Sequence, residues 1–316
     1  MPGRSDDAKR DLTRRDAIKV GLGVGLALAL NPRDVFASAQ QSTLIQKTIP
    51  STGEKLPVIG MGTARYFDAV TPELREVLKR FPELGGKVID TAPSYGNAET
   101  VVGDIIAELN TRPRFFLATK VTGPGSDRES GQRQIEESMR RLHTDKIDLM
   151  QIHNLIGVDQ RLPMIREMKQ AGRFRYIGAT TSFARQYEAF EKLMRAQPLD
   201  FIQIDYSIDA RNVEQRILPL AAEKGMAVLV NSPFRRGRTF ERVKDKQLPS
   251  WTAELEVTTW AQLFLKYLAS HPAVTCVIPG TERVQFLVDN MVACRGRLPD
   301  AAMRKRIEQY YDGLTA

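Results

Sequence analysis

Residues 88–96 read Val88-Ile89-Asp90-Thr91-Ala92-Pro93-Ser94-Tyr95-Gly96, and this stretch decides how the rest of the chain is organised. The apolar pair ahead of Asp90 reads as the end of a buried strand, and Pro93 and Gly96 break the chain before a helical pattern opens near Asn97. A carboxylate therefore stands at a strand's end, with a phenol on the loop behind it. Two further apolar runs, Phe115-Phe116-Leu117-Ala118-Thr119 and Ile147-Asp148-Leu149-Met150-Gln151-Ile152, lead into Lys120 and His153. Polar groups at successive strand ends converge only if the strands run parallel. In a parallel α/β barrel the catalytic groups come from the C-terminal ends of the strands, so Asp90, Tyr95, Lys120 and His153 are expected to face one cavity.

Outward from that stretch the chain alternates between strand-like and helical periods. Strands are expected over 58–63, 88–91, 114–119, 147–152, 175–179, 201–205, 227–230 and 274–278. Helices are expected over 71–84, 98–109, 130–142, 160–171, 184–195, 213–224, 258–270 and 283–294, with Thr71 as an N-cap and Pro72 at the first helical position. Eight strand-helix units with short joints predict an α/β fold, a (β/α)8 TIM barrel. Apolar alternation around Pro50-Ser51-Thr52-Gly53 predicts a β-hairpin closing the bottom of the barrel, and residues 300–312 read as an extra C-terminal helix.

With 42% hydrophobic and 27% charged residues, the 316-residue chain suits a soluble protein with a large core. A net charge of +8 would fit a nucleic-acid partner. The positive residues are scattered apart from Arg235, Arg236 and Arg238, however, and no basic stripe interleaves with aromatics, so the pattern argues against nucleic acid. Cys276 and Cys294 are too few for a disulfide framework or thiolate cluster, and the sequence leaves open whether they pair. The three histidines have no metal-ligand spacing, so no metal site is expected.

The first segment, 1–39, has a charged stretch with Arg14-Arg15, an uncharged run from Val20 to Leu30, and Ala37-Ser38-Ala39 at a cleavage-site spacing. It resembles a twin-arginine signal peptide, which implies the export machinery as a partner and the periplasm as destination. The apolar run falls well short of the roughly 20 residues of a spanning helix, so no stable membrane anchor is expected. Residues 40–316 form the barrel domain in this reading.

Four motifs carry a further resemblance: Asp90-Thr91-Ala92-Pro93-Ser94-Tyr95-Gly96, Ala118-Thr119-Lys120-Val121, Gln151-Ile152-His153-Asn154 and Val277-Ile278-Pro279-Gly280-Thr281. From about residue 44 onward the chain resembles the aldo-keto reductase family. The resemblance implies Tyr95 as proton donor, Lys120 and Asp90 as its tuning partners, and His153 as the group that orients a substrate carbonyl. The physics is compatible: an alkoxide formed by hydride transfer needs a proton, a free phenol holds its proton tightly, and a neighbouring ammonium should lower its pKa. Taken singly, Asp90 could cap a turn, Tyr95 pack as an aromatic, Lys120 end a strand in solvent and His153 serve as a structural histidine. Together, the ordinary explanation requires four coincidences.

The hydride has to come from a nicotinamide, because no side chain can supply one. By resemblance, NADP(H) lies across the barrel top without a Rossmann fingerprint. Thr180 and Thr181, where many members carry Ser-Asn, and Gln203 would meet the carboxamide, with Tyr206 as a stacking face. Ser232, Phe234 and Arg235 suit the pyrophosphate, although the arginine cluster there reads equally as a solvated loop. Gly280 and Thr281 introduce a helix whose N-terminal N–H groups favour an anion. Arg283 is the candidate for a 2′-phosphate, favouring NADP over NAD, and Asn290 the candidate for adenine. Tyr66, Phe67, Leu155, Ile156 and Trp251 are candidates for an apolar substrate pocket. The sequence thus predicts an NADPH-dependent reductase of aldehydes or ketones, the alternative being a cofactor-binding sensor or regulatory subunit of the same fold. A carboxylate-pair hydrolase is disfavoured, because no second acid stands at a comparable strand end.

Overall fold

The computed structural model describes residues 43–123 and 127–314, so the expected signal segment 1–39 lies outside the described residues. Eight parallel strands follow one another around a sheet: β3 (Met61–Gly62), β4 (Val88–Asp90), β5 (Phe116–Val121), β6 (Ile147–His153), β7 (Phe174–Thr181), β8 (Phe201–Asp205), β9 (Ala227–Asn231) and β10 (Cys276–Val277). Parallel bridges Ile59↔Val277 and Gly62↔Gly280 join the last strand to the first and close the barrel. The first and last strands are shorter than the periodicity predicts, because these bridges replace a continuous ladder at the seam. Gly60 fits there because a Cβ would lie 2.9 Å from the carbonyl oxygen of Val88.

Side chains alternate faces along a strand, and here the two faces belong to two different cores. Val88, Phe116, Ala118, Leu149, Tyr176, Phe201, Ala227, Leu229 and Cys276 form a cluster that fills the lumen. Their neighbours of opposite parity, among them Ile89, Leu117, Met150, Ile177, Ile202 and Val228, belong to the larger core shared with the surrounding helices. Those helices are α1 (Pro72–Glu83), α2 (Ala98–Glu108), α3 (Arg128–Arg141), α4 (Val158–Gln170), α5 (Tyr187–Ala196), α6 (Ile217–Glu223), α7 (Trp260–Ser270), α8 (Val284–Val292) and α9 (Ala301–Asp312). Thr71, Asp127, Thr259 and Asp300 cap four of them through their side chains, each accepting from a backbone N–H inside the first turn. The expected helices over 184–195 and 213–224 open instead with 3₁₀ turns, and the long loop ahead of α7 contains 3₁₀ segments over Arg235–Val243 and Ser250–Leu255.

An antiparallel hairpin, β1 (Gln46–Thr48) with β2 (Lys55–Pro57), sits at the N-terminal ends of the barrel strands. Ile49 and Leu56 are fully buried within the lumen cluster, so the hairpin plugs the barrel floor. Glu54 anchors it by pairing with Lys87 at 2.8 Å and with Arg175. With the floor sealed by apolar side chains, the polar end of the lumen is its C-terminal mouth. Cys276 and Cys294 are both buried free thiols, which settles the question of their pairing. Among the described residues no helix is long and apolar enough to cross a membrane.

Candidate active site

The alternation that builds the lumen also selects which side chains reach its mouth. Two residues beyond Val88 on β4 is Asp90, two beyond Ala118 on β5 is Lys120, and two beyond Leu149 on β6 is Gln151, followed by His153. On β8 and β9 the same step leads from Phe201 to Gln203 and from Leu229 to Asn231, and on β7 two such steps lead from Tyr176 past Gly178 to Thr180.

Lys120 and Asp90 are 1% and 2% exposed, and a charge buried so deeply persists only if it is paired. Lys120 Nζ donates to both carboxylate oxygens of Asp90, at 2.9 and 2.8 Å, and to the carbonyl of Thr91 at 2.8 Å. Gln151 and Gln203 add longer amide contacts to Asp90, at 3.4 and 3.3 Å. Burial pushes the Asp90 carboxyl upward against the pull of Lys120, whereas Lys120 itself is raised because Asp90 and Tyr95 more than offset the burial that opposes its charge. The geometry decides between these opposed tendencies: three donors converge on one carboxylate, which fits an ionised pair.

Tyr95 stands on the loop between β4 and α2, in a turn closed by its N–H on the carbonyl of Ala92 at 3.0 Å. Lys120 Nζ lies 4.8 Å from the centre of its ring, and the His153 ring meets it edge-on at 5.9 Å and 84°. The sequence-based expectation of a lowered phenol pKa is corrected here. Burial raises it, the pull of Lys120 is smaller, and Asp90 pushes it up again. The ammonium is largely neutralised by its carboxylate partner, so Tyr95 remains a protonated phenol. His153 is pushed down to about 3, first by burial and then by Lys120, and is therefore neutral at ordinary pH. Ser94 Oγ lies 3.4 Å from its Nδ1.

Asp90, Tyr95 and His153 line one cleft of about 420 Å³ at the barrel mouth, and Lys120 lies buried beneath it. Of the expected cofactor residues, Thr180, Gln203, Ser232, Phe234, Arg235 and Gly280 line the same cleft. Arg235 is half-buried there and paired with Asp209 at 3.0 Å. The structure does not bring the remaining candidates into it. Tyr206 is 1% exposed and turns outward, its hydroxyl on Glu214 and its ring against Tyr267 and His271, so it offers the cleft no stacking face. Thr181 is buried with its hydroxyl on Gln186 at 2.5 Å, and Thr281 and Asn290 are buried and bonded to each other at 3.0 Å. Arg283 is the N-cap of α8, not part of its first turn, and lies in a separate groove of about 1010 Å³ between α1 and α8. The first N–H of that helix, on Val284, already donates to Glu73 at 2.8 Å. Among the apolar candidates Tyr66 reaches the cleft, Phe67 is buried in the core, Leu155 packs on that core and Ile156 is exposed. Trp251 packs against Tyr310 and Arg306.

The cleft also contains Thr63, Arg65, Asn154 and Asn231, to which the motifs assign no role, and Arg236 of the arginine cluster. Strand parity marks Asn231, since it follows Ala227 and Leu229 on the lumen face. Arg65, Asn154, Ser232, Arg235 and Arg236 all have positive φ, between 45° and 78°. Such backbone costs about 1–3 kcal/mol per residue and concentrates at ligand clamps. The carbonyl oxygens of the Gln203 and Asn231 side chains are buried without a hydrogen-bond partner. Gly62 and Gly280 leave bare backbone at the seam, where a Cβ on Gly62 would stand 3.0 Å from the carbonyl oxygen of Ile278.

A sequence model of the Aldo/keto reductase family matches residues 58–311, most of the described barrel. Among curated proteins, the chain is 29% identical over 208 residues to the aldo-keto reductase YhdN of Bacillus subtilis, a match spanning 60% of this chain and 62% of YhdN. It is 26% identical over 266 residues to the methylglyoxal reductase YeaE of Escherichia coli, covering 82% of this chain and 93% of that protein. An aldo/keto reductase from Klebsiella pneumoniae, solved in complex with NADP and acetate, shares the fold with a TM-score of 0.72 at 22% identity, over 85% of this chain and 96% of that one. A barrel that gathers Asp90, Tyr95, Lys120 and His153 at its mouth, and a family match running from its first strand into its last helix, lead to one conclusion: the chain belongs to the aldo/keto reductase family and is an oxidoreductase.

Proposed function

We propose that the protein reduces an aldehyde or ketone to the alcohol, with NADPH as hydride source and Tyr95 as proton donor. The observation that carries this reading is the buried Lys120–Asp90 pair beneath a protonated phenol, with a neutral imidazole edge-on to that phenol. NADPH, when bound, supplies the hydride. Thr180, Gln203, Asn231, Ser232, Phe234, Arg235 and Gly280 would hold its nicotinamide half, and two features of the cleft fit such a ligand. The unpartnered carbonyl oxygens of Gln203 and Asn231 lack the donors that an amide NH₂ carries, and Ser232, Arg235 and Arg236 hold the positive-φ backbone that concentrates at ligand clamps. Arg283, in the adjoining groove, is the candidate for the 2′-phosphate.

This chain's residues then act as follows. His153, being neutral, donates an N–H to the carbonyl oxygen without bringing a second buried positive charge next to Lys120. As negative charge develops on that oxygen, Tyr95 transfers its phenolic proton to it. Lys120 stabilises the phenolate left behind, and Asp90 keeps the ammonium charged and in place. The experiment follows NADPH absorbance with a simple aromatic aldehyde, and nucleotide binding by fluorescence. Tyr95→Phe is expected to lose roughly 10²- to 10⁴-fold in turnover while still binding NADPH. Unchanged turnover would remove Tyr95 from this role.

We also infer export to the periplasm through the twin-arginine route, supported by the order of charge, apolar run and small-residue site in residues 1–39. That route carries folded proteins, so NADP(H) would be loaded in the cytoplasm and should co-purify with the exported chain. Cell fractionation comparing the full chain with an Arg14→Lys/Arg15→Lys variant tests it. Equal periplasmic recovery of the two would refute export by this route.

A further inference from the structure

His153 is the site residue whose chemistry depends on where one proton sits. A neutral imidazole has one N–H and one bare nitrogen. Only the N–H can donate to a carbonyl oxygen; a bare nitrogen facing that oxygen sets two lone pairs against each other. Nδ1 faces Ser94 Oγ at 3.4 Å, and among the described residues this is the only hydrogen-bond partner of either ring nitrogen. Nε2 is thus the nitrogen left for the cleft that His153 lines.

We propose that Ser94 is a positioning residue whose hydroxyl donates to Nδ1 and so holds His153 as the Nε2–H tautomer, the form that can aim a substrate carbonyl. The inference rests on the reductase reading above. Ser94 is suited to the role by its place in the chain. It lies in the same turn as Tyr95, which is fixed by Tyr95 N–H on Ala92 at 3.0 Å and by Asn97 Nδ2 on the carbonyl of Asp68 at 2.9 Å. One short turn therefore sets both the proton donor and the tautomer of the orienting group. Ser94 is itself exposed, so water satisfies its remaining lone pairs while its proton goes to Nδ1. Catalytic hydrogen bonds are often long in ligand-free sites and tighten in the substrate complex, so 3.4 Å is a workable starting distance.

The test uses the holoenzyme labelled with ¹⁵N-histidine. With three histidines in the chain, multiple-bond ¹H–¹⁵N spectra are simple, and the His153 signals are assigned by their loss in His153→Gln. The wild type is expected to show the Nε2–H tautomer at neutral pH. Ser94→Ala should raise the Nδ1–H share and lower kcat roughly 2- to 10-fold, the worth of one neutral hydrogen bond, with KM nearly unchanged. Ser94→Thr, which keeps the hydroxyl, should restore both. A wild-type Nδ1–H tautomer overturns the inference, as does a Ser94→Ala variant whose tautomer is unaltered, whatever its kcat. The tautomer is read without turnover, so a protein that reduces no carbonyl yet shows the Ser94-dependent shift contradicts the reductase reading and not this one.

Discussion

Lys120→Met isolates the energetics of the site. The substitution removes the ammonium from a position that is 0% exposed at the side chain and leaves Asp90, at 3%, with two amide contacts of 3.3 and 3.4 Å. Breaking a buried pair by removing one partner costs about 3–5 kcal/mol, because the remaining charge stays buried. Asp90 can escape by binding a proton in the folded state. While the folded carboxyl stays protonated, each pH unit above the unfolded value adds about 1.4 kcal/mol, so the loss grows by roughly 2–3 kcal/mol between pH 5 and pH 7. The sign follows from an acid whose folded-state pKa is raised: the deficit is present above the unfolded value and shrinks as the pH falls toward it. Urea unfolding of wild type and variant at pH 7 and pH 5 measures it. The gap should narrow by roughly 2–3 kcal/mol on acidification, and adding Asp90→Asn should abolish that narrowing. A gap below about 1 kcal/mol at pH 7, or one independent of pH, would refute the argument.

Two further expectations concern His153 and the nucleotide groove. Because burial and Lys120 depress His153 from 6.5 to about 3, its contribution to stability is complete above pH 6.5 and is lost as the pH falls through that window. His153→Asn should therefore remove about 1.4 kcal/mol of the stability lost between pH 7.5 and 5.5 in urea titrations; parallel curves for the two proteins would count against a buried neutral imidazole. In the groove, the Glu73 carboxylate occupies the first N–H of α8 beside Arg283. Equilibrium fluorescence should show Glu73→Gln binding NADPH roughly 2- to 5-fold tighter with little change for NADH, and Arg283→Ala moving the ratio the other way. Identical effects on both nucleotides would place the 2′-phosphate elsewhere.

The barrel was legible because β-alternation and helical periods take turns along the chain, and the four polar strand ends fall where one parity points into the lumen. The same parity separates the good site assignments from the poor ones. Thr180 and Gln203 share the lumen face with Tyr176 and Phe201, whereas Thr181 and Tyr206 have the opposite parity and face the helices. Asn231, two residues beyond Leu229, carries the same parity signal, although no motif contains it. Other features depend on tertiary sums that no local pattern contains. Tyr95 has a cation near it, yet its pKa rises, because burial and Asp90 outweigh the ammonium. Trp251 sits in a 3₁₀ turn whose packing against Tyr310 of α9 joins segments far apart in sequence. Glu73 reaches α8 across a separation of 211 residues, so its occupation of the helix terminus could not be read beforehand.

The central claim is that Tyr95 delivers a proton to the oxygen of a carbonyl reduced by a nicotinamide held in this cleft. Single-turnover mixing of the protein with NADPH deuterated at both C4 positions and an aromatic aldehyde tests it directly, with the alcohol analysed for deuterium at the carbinol carbon. Stoichiometric deuterium transfer in the wild type, slowed by roughly 10²-fold or more in a Tyr95→Phe protein that still binds NADPH, is the expected result. Deuterium transfer at the same rate in both proteins, or none in the wild type with nucleotide bound, would contradict it.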